Sequence, residues 1–157
     1  MKKALFLLVS VLFIQSAFSQ DILDQFPKPA TSVVDFENLF TDQEEIMLNN
    51  LIKIYYKQTD VQIVIVTIDK KSITAEQFDS LTLEIANKWG INGIIIGVSK
   101  GLRKIRIQNS VGPETKITDD ETKQIIDTVF IPKFKEGLYY KGTREGIQAI
   151  VNHLKNN

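Results

Sequence analysis

Two short runs of the chain are apolar almost without interruption. Val61-Gln62-Ile63-Val64-Ile65-Val66-Thr67-Ile68 is dominated by β-branched residues, and Gly93 to Ser99 reads Gly-Ile-Ile-Ile-Gly-Val-Ser. Runs this short and this apolar predict strands covered on both faces of a sheet. Between them Phe78, Leu81, Ile85 and Trp89 recur at helical spacing until Gly90 stops the pattern. A strand, helix, strand order predicts a parallel, right-handed crossover. Val33-Val34 gives a shorter strand ending at Asp35. Arg103 to Asn109 alternates Ile105 and Ile107 with Lys104, Arg106 and Gln108, and the connection Lys100-Gly101-Leu102 leaves room only for a hairpin. The fourth strand should therefore return antiparallel and stay half-exposed.

Helix starts are marked by three capping-box patterns, Thr41 to Glu44, Thr74 to Gln77 and Thr118 to Glu121. After the first, Met47, Leu48, Leu51, Ile52, Ile54 and Tyr55 gather on one side, while Glu44, Glu45, Asn49, Asn50, Lys53 and Lys57 take the solvated side. The third predicts a helix through Ile125, Ile126, Val129 and Phe130 that ends at Pro132. A last helix carries Ile147, Ile150, Val151 and Leu154. Residues 20–32 contain Pro27 and Pro29 without periodicity and read as an extended lead-in. The sum is one α/β domain over residues 33–157, a three-layer sandwich. Its sheet should be mixed and mostly parallel, of about four strands, with helices on both faces.

The first residues change the compartment. Lys2-Lys3, the apolar run Ala4 to Ile14 and the small-residue stretch ending at Ser19 have the form of a secretory signal, with residues 1–19 removed by cleavage after Ser19. Losing Lys2 and Lys3 tips a balanced chain of 19 Lys+Arg and 19 Asp+Glu towards a mild acidic excess. The expectation is an exported protein, periplasmic or secreted, monomeric and without a nucleic-acid partner, since no basic surplus is left to meet a phosphate backbone. The runs after the signal are too short to span a bilayer. With no cysteine, disulfides, thiolate metal sites and thiol nucleophiles are all excluded. The sole histidine, His153, lies close to the C-terminus and provides neither a triad nor a two-His metal motif.

Carboxylates are what remains for catalytic or metal-binding chemistry. Those at strand ends and helix starts are Asp35, Asp42, Asp69, Asp119, Asp120 and Glu121. Oxygen ligands of this kind suit hard cations such as Ca²⁺ or Mg²⁺. Asp119, Asp120 and Glu121 equally suit the first turn of a helix, where negative charge complements the dipole. The loop from Asn109 to Glu114 would supply carbonyls to an ion or serve as a plain connection. Lys104 and Arg106 share one face of the fourth strand and would hold a phosphate or guard the sheet edge. Tyr139 and Tyr140 offer either a partner surface or packing against a helix.

Six fragments recur in an order that spans roughly residues 30 to 151. They are Val33-Val34-Asp35-Phe36 with Leu39, Thr41-Asp42-Gln43-Glu44, the strand Gln62 to Ile68, Trp89-Gly90 with Asn92-Gly93-Ile94-Ile95-Ile96, Ile117-Thr118-Asp119, and Ile131-Pro132-Lys133-Phe134-Lys135-Glu136-Gly137 with Tyr139 and Tyr140. This order resembles the TPM domain, a family of thylakoid-lumen and bacterial exported proteins described in part as phosphatases. The chain departs from the family in two loops. Ile91 alone separates Gly90 from Asn92-Gly93, and Asn109 to Glu114 stands where a glycine-rich turn is usual. The resemblance implies an α/β sandwich, divalent-cation binding in some members and acid-phosphatase activity in some. Together with the carboxylate pattern it gives one expected site, a Ca²⁺ or Mg²⁺ ion held where Asp35 approaches Asp119 and Asp120. Two functional readings follow: a cation-binding module that assists a protein partner, or a metal-assisted acid phosphatase acting on phosphomonoesters.

Overall fold

The computed structural model describes residues 22–109 and 117–156. The expected signal at 1–19 and the loop carbonyls of 110–114 lie outside the described residues. Four strands, β1 (Val33–Asp35), β2 (Gln62–Thr67), β3 (Gly93–Ser99) and β4 (Lys104–Asn109), form one sheet in the order β1-β2-β3-β4. The first three are parallel and β4 is antiparallel to β3, as the crossover and hairpin patterns predict.

Side chains alternate across a strand, so a strand covered on both faces must be apolar at every position. Ile63, Ile65, Ile94, Ile96 and Val98 enter one core. Val64, Val66 and Ile95 enter the other. On the first face lie α1 (Asp42–Thr59), α3 (Asp119–Ile125) and α5 (Tyr139–Asn156), which contribute Leu48, Ile52, Ile147, Ile150 and Val151 to that core, with Phe130 just after α3. The second face is covered by α2 (Phe78–Trp89) through Phe78, Leu81, Ile85, Ala86 and Trp89. The result is an α/β sandwich of three layers. Both α1 and α3 start with the complete capping boxes predicted at Thr41 and Thr118.

Three local expectations are corrected. Residues 22–26 of the lead-in are not extended. Gln25 and Phe26 donate backbone N–H groups to the carbonyls of Ile22 and Leu23 at 3.2 and 3.0 Å, forming a turn. That turn buries Phe26 to 2% exposure, and the Phe26 carbonyl accepts the Trp89 indole N–H at 3.0 Å. The driving force is apolar burial of Phe26, which outweighs the local preference of the prolines that follow. The second predicted cap starts no helix directly. Gln77 Oε1 accepts from the Thr74 N–H at 2.9 Å, but α2 begins only at Phe78 and has no side-chain cap. Half a capping box is spent on the turn that leads into the helix.

Pro132 does not end the third helix. α3 widens into a π-helical turn over Ile126–Phe130 and continues as α4 (Ile131–Lys135), with Pro132 in the first turn of α4. In a regular helix the proline ring would press on the carbonyl of residue 128, and its missing N–H would leave a gap in the ladder. In the wider turn the Ile131 N–H reaches back to the Ile126 carbonyl, and the chain passes the proline without breaking.

Two glycines set how closely layers approach. A Cβ at Gly97 of β3 would sit 2.6 Å from the Thr82 hydroxyl of α2, and one at Gly146 of α5 would sit 2.0 Å from the Phe130 ring. At the other side of the sheet, Asn49 of α1 turns its side-chain carbonyl towards β1. It accepts the N–H groups of Ser32 and Val33 at 2.9 and 3.1 Å. Asn49, placed on the solvated side by the sequence pattern, thus occupies the outer edge of the sheet.

Candidate functional site

The carboxyl ends of β1, β2 and β3 carry Asp35, Thr67 and Ser99. Asp35 accepts the Thr67 hydroxyl on Oδ1 at 2.6 Å and the Phe40 N–H on Oδ2 at 2.8 Å. Thr67 Oγ1 accepts the Glu37 N–H at 2.9 Å. Glu37 then reaches across the sheet, accepting the Lys100 and Gly101 N–H groups at 2.7 and 3.0 Å and the Ser99 hydroxyl at 3.4 Å. A single polar network therefore ties the β1–α1 loop to the β3–β4 hairpin. Lys100 places its ammonium 5.4 Å from the centre of the Tyr139 ring, an attraction between the cation and the ring face. Tyr139 packs against the first core and Phe134.

Glu45, one turn into α1, borders this network. Burial pushes its carboxyl above the ordinary carboxylate value, and the charges of Asp35 and then Asp42 push it further the same way. Among the described residues no Lys, Arg or His forms an ion pair with Asp35, Asp42 or Glu45; the ion pairs found lie elsewhere. Sequence reasoning placed Glu45 with the solvated residues of α1 and missed its place here. Glu37 was missed as well, because its partners lie more than sixty residues away along the chain. Nothing local signals them.

Asp119 and Asp120 lie elsewhere. Asp35 pairs with Thr67, Thr67 with Val98, and Val98 with Ile105, whereas Ile94 pairs with Asn109 at the opposite end of the sheet. Asn109 donates its side-chain amide to the Ile117 carbonyl at 2.8 Å, which fixes the start of α3 at that opposite end. At about 3.3 Å per residue along a strand and about 4.8 Å between strands, Asp35 and Asn109 are roughly 19 Å apart. The fold therefore places Asp35 at one end of the sheet and the start of α3 at the other, and does not bring Asp35 beside Asp119 and Asp120. The antiparallel return of β4 carries the chain back to the far end before α3 begins.

Asp119 and Asp120 instead line a groove of about 450 Å³ along β4, together with Lys104, Arg106, Ile107 and Ile126. Glu121 completes the Thr118 capping box, accepting the Thr118 N–H at 2.7 Å. That hydrogen bond is the largest cause of its carboxyl lying below the ordinary value; the nearby His153 contributes less, with Nε2 3.3 Å from Glu121 Oε2. Among the described residues no three His, Cys, Asp or Glu side chains converge into a ready metal cage. Asp35 uses both of its carboxylate oxygens within the chain, accepting from Thr67 and Phe40. No helix among the described residues is long and apolar enough to cross a membrane.

A parallel three-stranded core with one antiparallel edge strand, helices on both faces and an acidic rim at the carboxyl ends of the strands defines the class of domain. The sequence profile of the TPM domain matches residues 33–153, and the chain belongs to that family. A search of curated proteins finds no match. Among solved structures, the fold is similar to the N-terminal domain of a protein from P. gingivalis, with 23% identity, a TM-score of 0.75, and 85% of this chain and 91% of that one covered. It is also similar to the BA42 protein of Bizionia argentinensis, at 19% identity and TM-score 0.65 over 77% and 85% of the two chains. A third is the N-terminal domain of the cg2496 protein of Corynebacterium glutamicum, at 12% identity and TM-score 0.59 over 80% and 82%. At these identities the likeness shows the fold.

Proposed function

We propose that the chain is an exported binding module that takes a hydrated divalent cation, Ca²⁺ or Mg²⁺, at the rim bounded by Asp35, Asp42 and Glu45. The observation that carries this reading is the gathering of Glu45, Asp35 and Asp42 at the rim, where among the described residues no Lys, Arg or His forms an ion pair with them. Burial and two neighbouring negative charges act on Glu45 together, and a divalent ion relieves such repulsion while accepting carboxylate oxygens and water. Ligands of open α/β sheets gather at the carboxyl ends of the strands, and Asp35 stands at such an end. Asp119 and Asp120 would serve a separate ion or only the dipole of α3. The exported placement rests on the leader pattern of residues 1–19.

The test is a melting curve and an amide NMR titration of the mature chain with CaCl₂ and with MgCl₂. Metal at 100 times its dissociation constant should add about 2.7 kcal/mol. The amides of Phe40 and Glu45 should move, Glu45→Gln should remove most of the stabilisation, and Asp119→Asn should leave it intact. Shifts confined to residues 117–121 would move the ion to the far end of the sheet and defeat the proposal. Metal-dependent turnover of p-nitrophenyl phosphate, lost in Glu45→Gln, would make the rim a phosphatase site.

A further inference from the structure

Three sides of α1 are engaged within the chain. Leu48, Ile52 and Tyr55 enter the first core. Asn49 holds the amides of Ser32 and Val33 on one flank. On the other, Tyr140 of α5 donates its hydroxyl to the Met47 sulfur and Lys155 its ammonium to Gln58. The fourth side is different. At about 3.6 residues per turn, Gln43, Ile46, Asn50, Ile54 and Lys57 fall opposite the core, all within roughly 40° of Asn50. All five are exposed. Ile46 and Ile54, at 54% and 52%, are the most exposed large hydrophobic side chains among the described residues.

The outer stripe is symmetric about Asn50 in shape and antisymmetric in charge. Ile46 and Ile54 stand equally far on either side of Asn50, as do Gln43 and Lys57. The first turn of α1 is acidic, with Asp42, Glu44 and Glu45, and Lys57 lies in its last turn. Lys53 and, from α5, Lys155 stand near that second end. Asp60, just past the helix, opposes them and leaves that end basic. Arg144, near Tyr55 on the α5 flank, is paired with Glu145. Among the described residues Asp42, Lys53 and Lys57 form no ion pair within the chain. A stripe with opposite charges at its two ends is complementary to itself when reversed.

We propose that the outer face of α1 is the contact surface of a symmetric dimer, occupied by α1 of a second copy of this chain lying antiparallel to it. In such a pair every contact occurs twice. Ile46 of each copy meets Ile54 of the other, with Met47 widening the apolar strip, and Asp42 of each copy meets Lys57 of the other. The two Asn50 side chains face each other at the twofold axis, where a paired polar residue fixes register as it does in a coiled coil. A parallel alignment sets Lys53 and Lys57 against themselves and is disfavoured by repulsion. One helix face is small beside the interfaces of permanent dimers, so the association is reversible and the chain is monomeric when dilute. The proposal does not rest on the cation reading.

The experiment follows sedimentation and amide NMR of the mature chain in EDTA, from micromolar to millimolar protein. EDTA leaves Asp42 free of any metal and keeps the outcome separate from the cation reading. The average mass should rise from monomer towards dimer, with concentration-dependent shifts in residues 42–58. Ile54→Glu, at an exposed position that leaves the core untouched, should weaken association at least tenfold. Lys57→Asp and Asp42→Lys should each weaken it severalfold, and the two combined in one chain should restore it, because the ion pairs are then rebuilt with their signs exchanged. The chain has no cysteine, so Asn50→Cys provides a direct probe. On oxidation it should form a disulfide-linked dimer at least tenfold faster than Asn87→Cys on α2. A monomer throughout the range would overturn the proposal. So would a dimer indifferent to Ile54→Glu, or one whose shifts lie only in β4. Failure of the combined charge exchange to restore association would overturn the antiparallel pairing.

Discussion

Asp35 and Thr67 are direct partners across β1 and β2, and the Thr67 hydroxyl donates to the Asp35 carboxylate at 2.6 Å. Thr67 is fully buried, and its oxygen also accepts the Glu37 N–H at 2.9 Å. One hydroxyl thus holds both the strand end and the loop that follows. Thr67→Val keeps the shape and removes the hydroxyl, leaving a carboxylate oxygen and a backbone N–H short of a partner. The expected loss is about 1–3 kcal/mol in urea unfolding. Thr67→Ser, which restores the hydroxyl, should recover part of it.

Glu45 should give a stability effect of opposite sign. Its folded carboxyl lies above the ordinary value because of burial, then Asp35, then Asp42. The folded chain holds this proton more tightly than the unfolded one. Its stabilising contribution is complete below the unfolded pKa and is lost as pH rises through the raised folded value. In metal-free buffer Glu45→Gln should therefore show a higher urea midpoint than wild type near pH 7. The two midpoints should converge as pH falls below the ordinary carboxylate range.

Glu121 titrates the other way, with the Thr118 N–H as the first cause and the Thr118 hydroxyl as the second. Its contribution is present above the unfolded pKa and is lost as pH falls through the lowered folded value. Relative to its intrinsic rate, hydrogen exchange at the first amides of α3 should speed up over that acid range. Thr118→Ala should cost about 1 kcal/mol by removing the side-chain half of the cap.

Gly146→Ala should destabilise the chain by about 1–3 kcal/mol, the usual cost of overpacking a filled site. The added methyl would fall 2.0 Å from the Phe130 ring, and Phe130 is fully buried. Adding Phe130→Leu should recover part of the loss, which a double-mutant cycle in urea would measure.

Trp89 stands at the end of α2 in the second core, fully buried, with its indole N–H on the Phe26 carbonyl at 3.0 Å. Trp89→Ala should lower stability by about 3–5 kcal/mol. Because Phe26 packs on it, the same variant should expose the lead-in. Chymotryptic cleavage after Leu23 in the variant and not in wild type would check this link.

The parts of the fold legible in the sequence were those fixed by neighbours along the chain. The β-branched runs of β2 and β3, the Gly90 stop and the capping boxes at Thr41 and Thr118 each rest on a few adjacent residues. Pro132 misled because the widened turn that accommodates it depends on no motif nearby. The lead-in misled because what folds it is Trp89, far along the chain. Asp35 was correctly marked as a strand end, but its pairing with Asp119 and Asp120 required the order of strands and the direction of β4. Composition and spacing carry neither. Glu37 and Glu45 gain their roles from contacts across layers, which no periodicity records.

Asn49 gives the sheet a direction of growth. With the amides of Ser32 and Val33 already satisfied by Asn49, two of the donors at the β1 edge are withheld from any added strand. Backbone pairing at that edge is blunted in the same degree. Asn49→Ala would reopen the blocked edge and remove the protection.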